Sequence, residues 1–96
     1  MSLYVISYDI AKDKTRTKVA KLLENYGVRM QYSVFECDLD DKRFNELFSE
    51  IKKMDINANI DSIRFYKLCK NCEKGIKTIG TVEQKRFVLN EKTIVI

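Results

Sequence analysis

The chain has 96 residues, with 18 lysines and arginines against 14 aspartates and glutamates, and its mild basic excess of +4 favours a polyanionic partner. We expect a single domain over residues 1–96, cytoplasmic and without a membrane partner, because no apolar run approaches the roughly 20 residues of a membrane-spanning helix. The absence of histidine excludes His-based triads within one chain, and three cysteines, an odd number, argue against a secreted disulfide scaffold.

The first predicted element is a strand over residues 3–9, an almost continuous apolar run that ends on Asp9. Because side chains alternate along a strand, Leu3, Val5 and Ser7 share a face with Asp9, and large apolar groups project from both faces. Both faces therefore need cover, as in an inner strand. Asp9 lies at the rim of the predicted sheet and is the first candidate reactive group. A carboxylate there is also often only a turn or capping residue.

A helix is predicted next, over residues 15–26. Its apolar residues recur at the helical spacing of three and four: Val19, Leu22, Leu23 and Tyr26. Asp13 is the predicted N-cap, and Gly27 is the predicted stop after the last turn. Arg16 falls beside the apolar stripe, so we expect its guanidinium to reach along the sheet edge instead of out into water.

Three lysines of this helix segment gather opposite the apolar stripe and form a basic ridge: Lys14, Lys18 and Lys21. Two-fold symmetry would duplicate the ridge, which suits contacts to the backbone of a nucleic-acid duplex without reading of its bases. A solvated helix face explains the same lysines equally well, because lysines are common on protein surfaces.

The rest of the chain completes an α+β pattern. Residues 28–39 read as extended but are long for one strand, so we expect a bend near Gln31 to split them. A second amphipathic helix spans residues 44–54, and a further strand spans residues 62–69. The order βαββαβ, with two helices on one face of an antiparallel sheet, indicates a ferredoxin-like core over residues 2–69. An extension over residues 75–96, with short strands at 77–82 and 93–96, is better suited to a sheet edge than to a core.

Cys69 and Cys72 form a lone CxxC pair. A structural zinc site usually needs four ligands, and Cys37 is only a possible third. A redox CxxC normally opens a helix after a strand, and the sequence shows no helical pattern at this point. We therefore interpret the pair as free thiols near a strand end, without a functional role.

Several motifs taken together resemble one known family. They are Tyr-Asp-Ile at 8–10, Arg16 on the first helix, the block Gly-Val-Arg-Met-Gln-Tyr-Ser-Val-Phe-Glu at 27–36, and the strand Ile-Arg-Phe-Tyr-Lys-Leu-Cys at 63–69. The family is the small CRISPR-associated adaptation endonuclease, the smaller of the two core spacer-acquisition proteins. The resemblance covers residues 2–82, is strongest over 3–36, and implies the same fold.

The resemblance also implies a homodimer whose two sheets pack face to face, with the C-terminal strand often added to the partner's sheet. It links Asp9 to phosphodiester cleavage that depends on a divalent metal, Mg²⁺ or Mn²⁺. It implies five supporting residues around that site: Tyr8, Arg16, Arg29, Ser33 and Phe35. Relatives often carry a second arginine where this chain has Lys18, which keeps the charge but loses bidentate phosphate recognition.

The chemistry of the metal agrees with a dimer. One carboxylate per chain is too few for Mg²⁺, which binds one or two carboxylates together with waters and phosphate oxygens. Two-fold symmetry brings two Asp9 side chains together, and a cation between them removes their repulsion. The metal then lowers the pKa of a bound water and stabilises charge on the phosphate. We expect activity to need both the metal and the dimer.

Four functional readings follow. The first is a metal-dependent endonuclease that cleaves single-stranded RNA or DNA. The second is a scaffold that holds a protospacer DNA duplex and bridges the CRISPR integrase, which requires no cleavage. A toxin-like ribonuclease shares the fold and the strand-end aspartate. An RNA-recognition sheet that stacks bases on Tyr4, Phe65 and Tyr66 is disfavoured, since the glycine-rich aromatic signature of that fold is missing.

Overall fold

A computed structural model describes residues 1–80 of the chain. Its elements, in order, are β1 (Ser2–Asp9), α1 (Asp13–Glu24), β2 (Val28–Gln31), β3 (Val34–Leu39), α2 (Asp41–Lys52), β4 (Ser62–Leu68) and α3 (Lys70–Lys74). The predicted split near Gln31 is confirmed, because a two-residue turn separates β2 from β3. No helix within residues 1–80 combines the length and apolar character needed to cross a membrane.

The four strands form one antiparallel sheet in the order β2-β3-β1-β4. β1 is central: Ile6 lies opposite Phe35 of β3 on one side and opposite Phe65 of β4 on the other. This strand order, with a helix in each of the two βαβ crossings, is that of the ferredoxin-like fold. The predicted α+β class and its βαββαβ order are therefore confirmed.

The main core lies between this sheet and the two long helices. β1 contributes Tyr4, Ile6 and Tyr8 from one face, and α1 contributes Val19 and Leu23, all of which are buried. Fully burying one side chain of this size stabilises the fold by about 1.5–3 kcal/mol. The apolar stripes read from the sequence are therefore the surfaces that join helices to sheet.

The opposite side of the sheet, which we call the second face, carries the alternate residues of the strands. It includes Leu3, Val5, Ser7, Asp9, Val28, Val34, Glu36, Asp38, Ser62, Arg64, Tyr66 and Leu68, as the strand register shows. Leu3 is buried here although it lies outside the main core cluster, Val5 is half-buried, and Tyr66 is 46% exposed. The large apolar groups predicted on both faces of β1 are present.

Two predicted helix boundaries are wrong. The N-cap of α1 is Lys12, which makes no side-chain capping hydrogen bond, and the predicted cap Asp13 is the first helical residue. The carboxylate of Asp13 pairs with Arg16 instead of capping the helix. Helix α2 does have a side-chain cap, because Oδ1 of Asp40 accepts the backbone N–H of Arg43 at 2.8 Å.

Gly27 does not stop α1 in the predicted way. The helix ends at Glu24, Asn25 closes it in a right-handed conformation, and Gly27 lacks the positive φ of a left-handed cap. The glycine is needed for a close approach of the chain to β3. A Cβ atom at this position would lie 2.2 Å from the carbonyl oxygen of Glu36 and 2.4 Å from Sγ of Cys37.

The segment after β4 also differs from the prediction. Helix α3 begins directly after the strand, with Cys69 as its N-cap, and it lies close to β1 and β4. The expectation that no helix follows the CxxC pair is therefore wrong. Residues 77–80 form no strand, and the rest of the predicted strand at 77–82, like the one at 93–96, lies outside the described residues.

Candidate functional site

Asp9 is the last residue of β1 and lies opposite Ser62 of β4. Its side chain is exposed, and no hydrogen bond or ion pair within residues 1–80 engages its carboxylate. The alternation of side chains along β1 places Asp9 on the second face, together with Val5 and Ser7. Asp9 is therefore a hydrated carboxylate that a ligand can reach, held at the end of the central strand.

Three of the predicted supporting residues meet where β1 passes the turn between β2 and β3. The backbone N–H of Tyr8 donates to the carbonyl of Ser33 at 3.1 Å, and its hydroxyl donates to the carbonyl of Tyr32 at 3.4 Å. The rings of Tyr8 and Phe35 stack with centroids 6.3 Å apart. Tyr8 and Phe35 are both buried, so they hold the end of β1 in place and do not present a surface to a polymer substrate.

Arg29 and Tyr32 form an exposed cationic and aromatic pair beside that turn. The guanidinium carbon of Arg29 lies 5.3 Å from the ring centroid of Phe35 and 6.0 Å from that of Tyr32. Arg29 shares the helix-bearing side of the sheet with Phe35, so its side chain and that of Asp9 lie on opposite faces. Sequence reasoning missed Tyr32, although its position at the predicted bend was a signal.

Arg16 holds the loop that follows Asp9. Its Nη1 donates to the carbonyl of Ile10 at 2.8 Å, and its Nη2 pairs with the carboxylate of Asp13. Partial desolvation tends to lower the pKa of Arg16, but the bond to Asp13 and the proximity of Tyr32 outweigh it, so the pKa stands above its ordinary value. The guanidinium is half-buried and permanently charged, and it fixes the loop between β1 and α1.

Asp61 holds the same loop from the other side, and sequence reasoning missed it. Its Oδ1 accepts the backbone N–H of Ala11 at 3.0 Å, and its Oδ2 accepts that of Asn57 at 3.0 Å. These two hydrogen bonds lower the pKa of Asp61 below its ordinary value. Both carboxylate oxygens are thus engaged in tying the loop after Asp9 to the loop before β4.

Asp9 is the candidate metal ligand, and the described residues place no cluster of further donors beside it. Within residues 1–80 there is no group of three or more histidines, cysteines, aspartates or glutamates placed to hold an ion. Mg²⁺ accepts one or two carboxylates when waters and phosphate oxygens complete its shell. Asp9 offers one exposed carboxylate to such a shell.

A basic hollow of about 450 Å³ opens beside α1. It is lined by Lys12, Lys14, Thr15, Lys18, Lys53, Met54 and Asp55. Lys12 and Asp55 form an ion pair of 2.7 Å, which raises the pKa of the lysine and lowers that of the aspartate. No salt bridge within the described chain engages the other three lysines.

Two lysines of the predicted ridge, Lys14 and Lys18, line this hollow, and Lys21 is exposed one turn further along α1. Lys53 comes from the end of α2, so the sequence of α1 alone contains no signal for it. The structure thus extends the ridge into a concave surface built from two elements.

Comparison with known proteins decides the family. The family model described as CRISPR associated protein Cas2 matches residues 1–76. The chain belongs to this family. A Cas2 relative from Synechocystis sp., named CRISPR-associated endoribonuclease Cas2 3, is 54% identical over 68 residues, which are 71% of this chain and 73% of the relative. The family predicted from the motifs at 8–10, 27–36 and 63–69 together with Arg16 is confirmed.

Solved Cas2 structures share the fold. The crystal structure of Streptococcus pyogenes Cas2 has a TM-score of 0.69 and 35% identity, covering 81% of this chain and 99% of that chain. A chain of a partial Cas6-RT-Cas1–Cas2 complex has a TM-score of 0.70 and 39% identity, covering 82% of this chain and 85% of that chain. Both matches show that this chain shares its overall fold with these structures.

Proposed function

We propose that this protein works in CRISPR adaptation as a homodimer, and that its two Asp9 carboxylates support metal-dependent cleavage of nucleic-acid phosphodiesters. Membership of the Cas2 family places the chain among the CRISPR-associated proteins, and the Synechocystis relative carries the name endoribonuclease. The observation that carries the proposal is the exposed carboxylate of Asp9, unengaged within the described chain and placed at the rim of the second face.

The second face supports the homodimer. Val5, Val34 and Leu68 are only half-buried there, and Tyr66 is exposed, so the face still presents apolar area to water. Two sheets that pack face to face bury such residues between them. A two-fold axis through that contact pairs the second face with its own copy, and an axis that passes beside the end of β1 would bring the two Asp9 carboxylates together.

The residues around Asp9 act by positioning. Tyr8 and Ser33 fix the end of β1 against the turn, and Arg16 and Asp61 fix the loop that follows. Mg²⁺ or Mn²⁺ held by Asp9 would supply an activated water and would stabilise negative charge on the phosphate. Such positioning matters because small displacements of a reacting group cost large factors in rate.

The test compares Asp9→Asn with Asp41→Asn, both exposed aspartates, with Asp41 in the first turn of α2. Cleavage of single-stranded RNA and of duplex DNA is measured with Mg²⁺, with Mn²⁺ and with a chelator. Asp9→Asn should lose all metal-dependent cleavage, and Asp41→Asn should keep it. Cleavage by Asp9→Asn at the wild-type rate, with the wild-type response to chelator, overturns the assignment.

A second function, which the basic hollow favours, is to hold duplex DNA for the CRISPR integrase. Lysines contact phosphates without reading sequence, as a scaffold for many different fragments requires. A matched solved complex names Cas1 together with Cas2. In an integration assay with the Cas1 partner, Asp9→Asn should still support spacer insertion, whereas Lys14→Glu combined with Lys18→Glu should abolish it. Loss of insertion in Asp9→Asn alone contradicts a scaffold role that is independent of cleavage.

A further inference from the structure

Cys69 and Cys72 are brought together where the chain leaves β4. Cys69 is the N-cap of α3, and its Sγ accepts the backbone N–H of Cys72 at 3.3 Å. The two sulfur atoms are 3.2 Å apart and hydrogen-bonded. Both thiols are exposed, so a small solute reaches them without unfolding of the domain.

The two thiols differ in character. The backbone N–H of Cys72 donates to Sγ of Cys69, and this bond, followed by the contact between the two thiols, lowers the pKa of Cys69. The same contact with Cys69 raises the pKa of Cys72. The thiolate is the nucleophile in thiol–disulfide exchange, so Cys69 is the attacking residue and Cys72 the resolving one.

The two thiols are less suited to binding a soft metal ion. Structural zinc takes four ligands, and no third or fourth cysteine, histidine, aspartate or glutamate joins this pair within residues 1–80. Cys37 is fully buried in the main core and does not supply one. A strand followed at once by CxxC and a helix is, in contrast, the local arrangement of redox dithiols.

We propose that Cys69 and Cys72 form a redox-active dithiol, which low-molecular-weight disulfides of the glutathione class oxidise to an intramolecular disulfide. The Cys69 thiolate attacks one sulfur of the small disulfide, forms a mixed disulfide and releases one small thiolate. Cys72 then gives its proton to solvent, and its sulfur attacks the sulfur of Cys69 and releases the second small thiolate. Overall, two protein thiols are oxidised and one small disulfide is reduced to two thiols.

The site is separate from the nuclease proposal. Cys69 follows Leu68, which lies opposite Leu3 near the start of β1, whereas Asp9 ends that strand. A disulfide would close a covalent ring across the first turn of α3. The Asp9→Asn variant should therefore be oxidised to the same extent as the wild type.

The test equilibrates the full chain in buffers of varied reduced-to-oxidised glutathione ratio. The chain is then quenched in acid, denatured and alkylated, so that mass spectrometry counts all three thiols. As the buffer becomes more oxidising, the wild type should lose two of its three alkylatable thiols together, without a glutathione adduct. Cys72→Ser should accumulate one glutathione adduct on Cys69, because the resolving thiol is missing. Cys69→Ser should react more slowly at Cys72.

Three results overturn the proposal. They are a wild type whose thiols all remain alkylatable at every ratio, separate glutathione adducts on both cysteines without loss of the pair, and a disulfide that links two chains on a non-reducing gel. Cys37 provides an internal reference, because its burial should protect it from glutathione in the folded protein.

Discussion

Replacing Gly27 with alanine tests whether the fold requires the close approach of the chain at Gly27 to β3. The new Cβ would lie 2.2 Å from the carbonyl oxygen of Glu36, about 1.2 Å inside the 3.4 Å at which ordinary contact begins. It would also lie 2.8 Å from Cα of Cys37, so two backbone atoms, the Glu36 oxygen and the Cys37 Cα, would have to move. Overpacking of a tight site typically lowers the free energy of unfolding by 1–3 kcal/mol. Because the new Cβ conflicts with backbone atoms, we expect Gly27→Ala to lower it by about 3 kcal/mol. For a domain of this size, that lowers the melting temperature by roughly 12–24 °C.

The measurement is urea unfolding at one fixed protein concentration, since association of copies adds to apparent stability. Gly75→Ala is the matched control, because its Cβ would meet only the carbonyl oxygen of Cys72 at 3.4 Å and its φ is −87°. The control should match the wild type or gain up to about 1 kcal/mol. If Gly27→Ala and Gly75→Ala unfold within about 0.5 kcal/mol of each other, less than the smallest overpacking cost, the close approach does not constrain the fold.

Three further predictions concern charges. The pKa of Asp61 is lowered in the folded state. The ionised carboxylate therefore stabilises the fold above the unfolded pKa of about 3.9, and this stabilisation is lost as pH falls through the folded-state pKa. Asp61→Asn should flatten the acid side of a plot of unfolding free energy against pH. Asp40→Ala should lower the free energy of unfolding in urea by about 1 kcal/mol, because the helix loses its N-cap hydrogen bond. The loss should be larger than that caused by Asp41→Ala. Lys18→Glu should weaken duplex-DNA binding and reduce the salt dependence of that binding in a titration series. Lys42→Glu, at an exposed position on α2, should change neither quantity. Equal effects of the two substitutions would contradict a localised basic surface.

Periodicity predicted the long elements because their burial repeats along the chain. The stripe through Val19 and Leu23 and the alternation through Tyr4, Ile6 and Tyr8 each report a face that packs on another element. Periodicity did not predict helix α3, because five residues contain too few turns for a periodic pattern. Its start depends on a thiol as N-cap, and cysteine is not among the residues that normally signal one.

The candidate site was predictable only where a residue's role follows from its place in its own element. Asp9 was found because it ends an apolar strand. Asp61 was missed because its two partners come from loops far apart in sequence. Lys53 was missed because it lines the same hollow as Lys18 only in the folded chain. Contacts between distant segments carry no short-range signal in one sequence.

The two borders of the sheet are unequal. β2 forms one border with only four residues, and its register slips between Arg29 and Gln31, an irregularity that discourages alignment of another strand there. β4 forms the other border with seven residues in regular register, and no strand of residues 1–80 occupies its outer side. Growth of the sheet by a further strand is thus directed to one side of the molecule, which favours closed pairs of molecules over open-ended stacking.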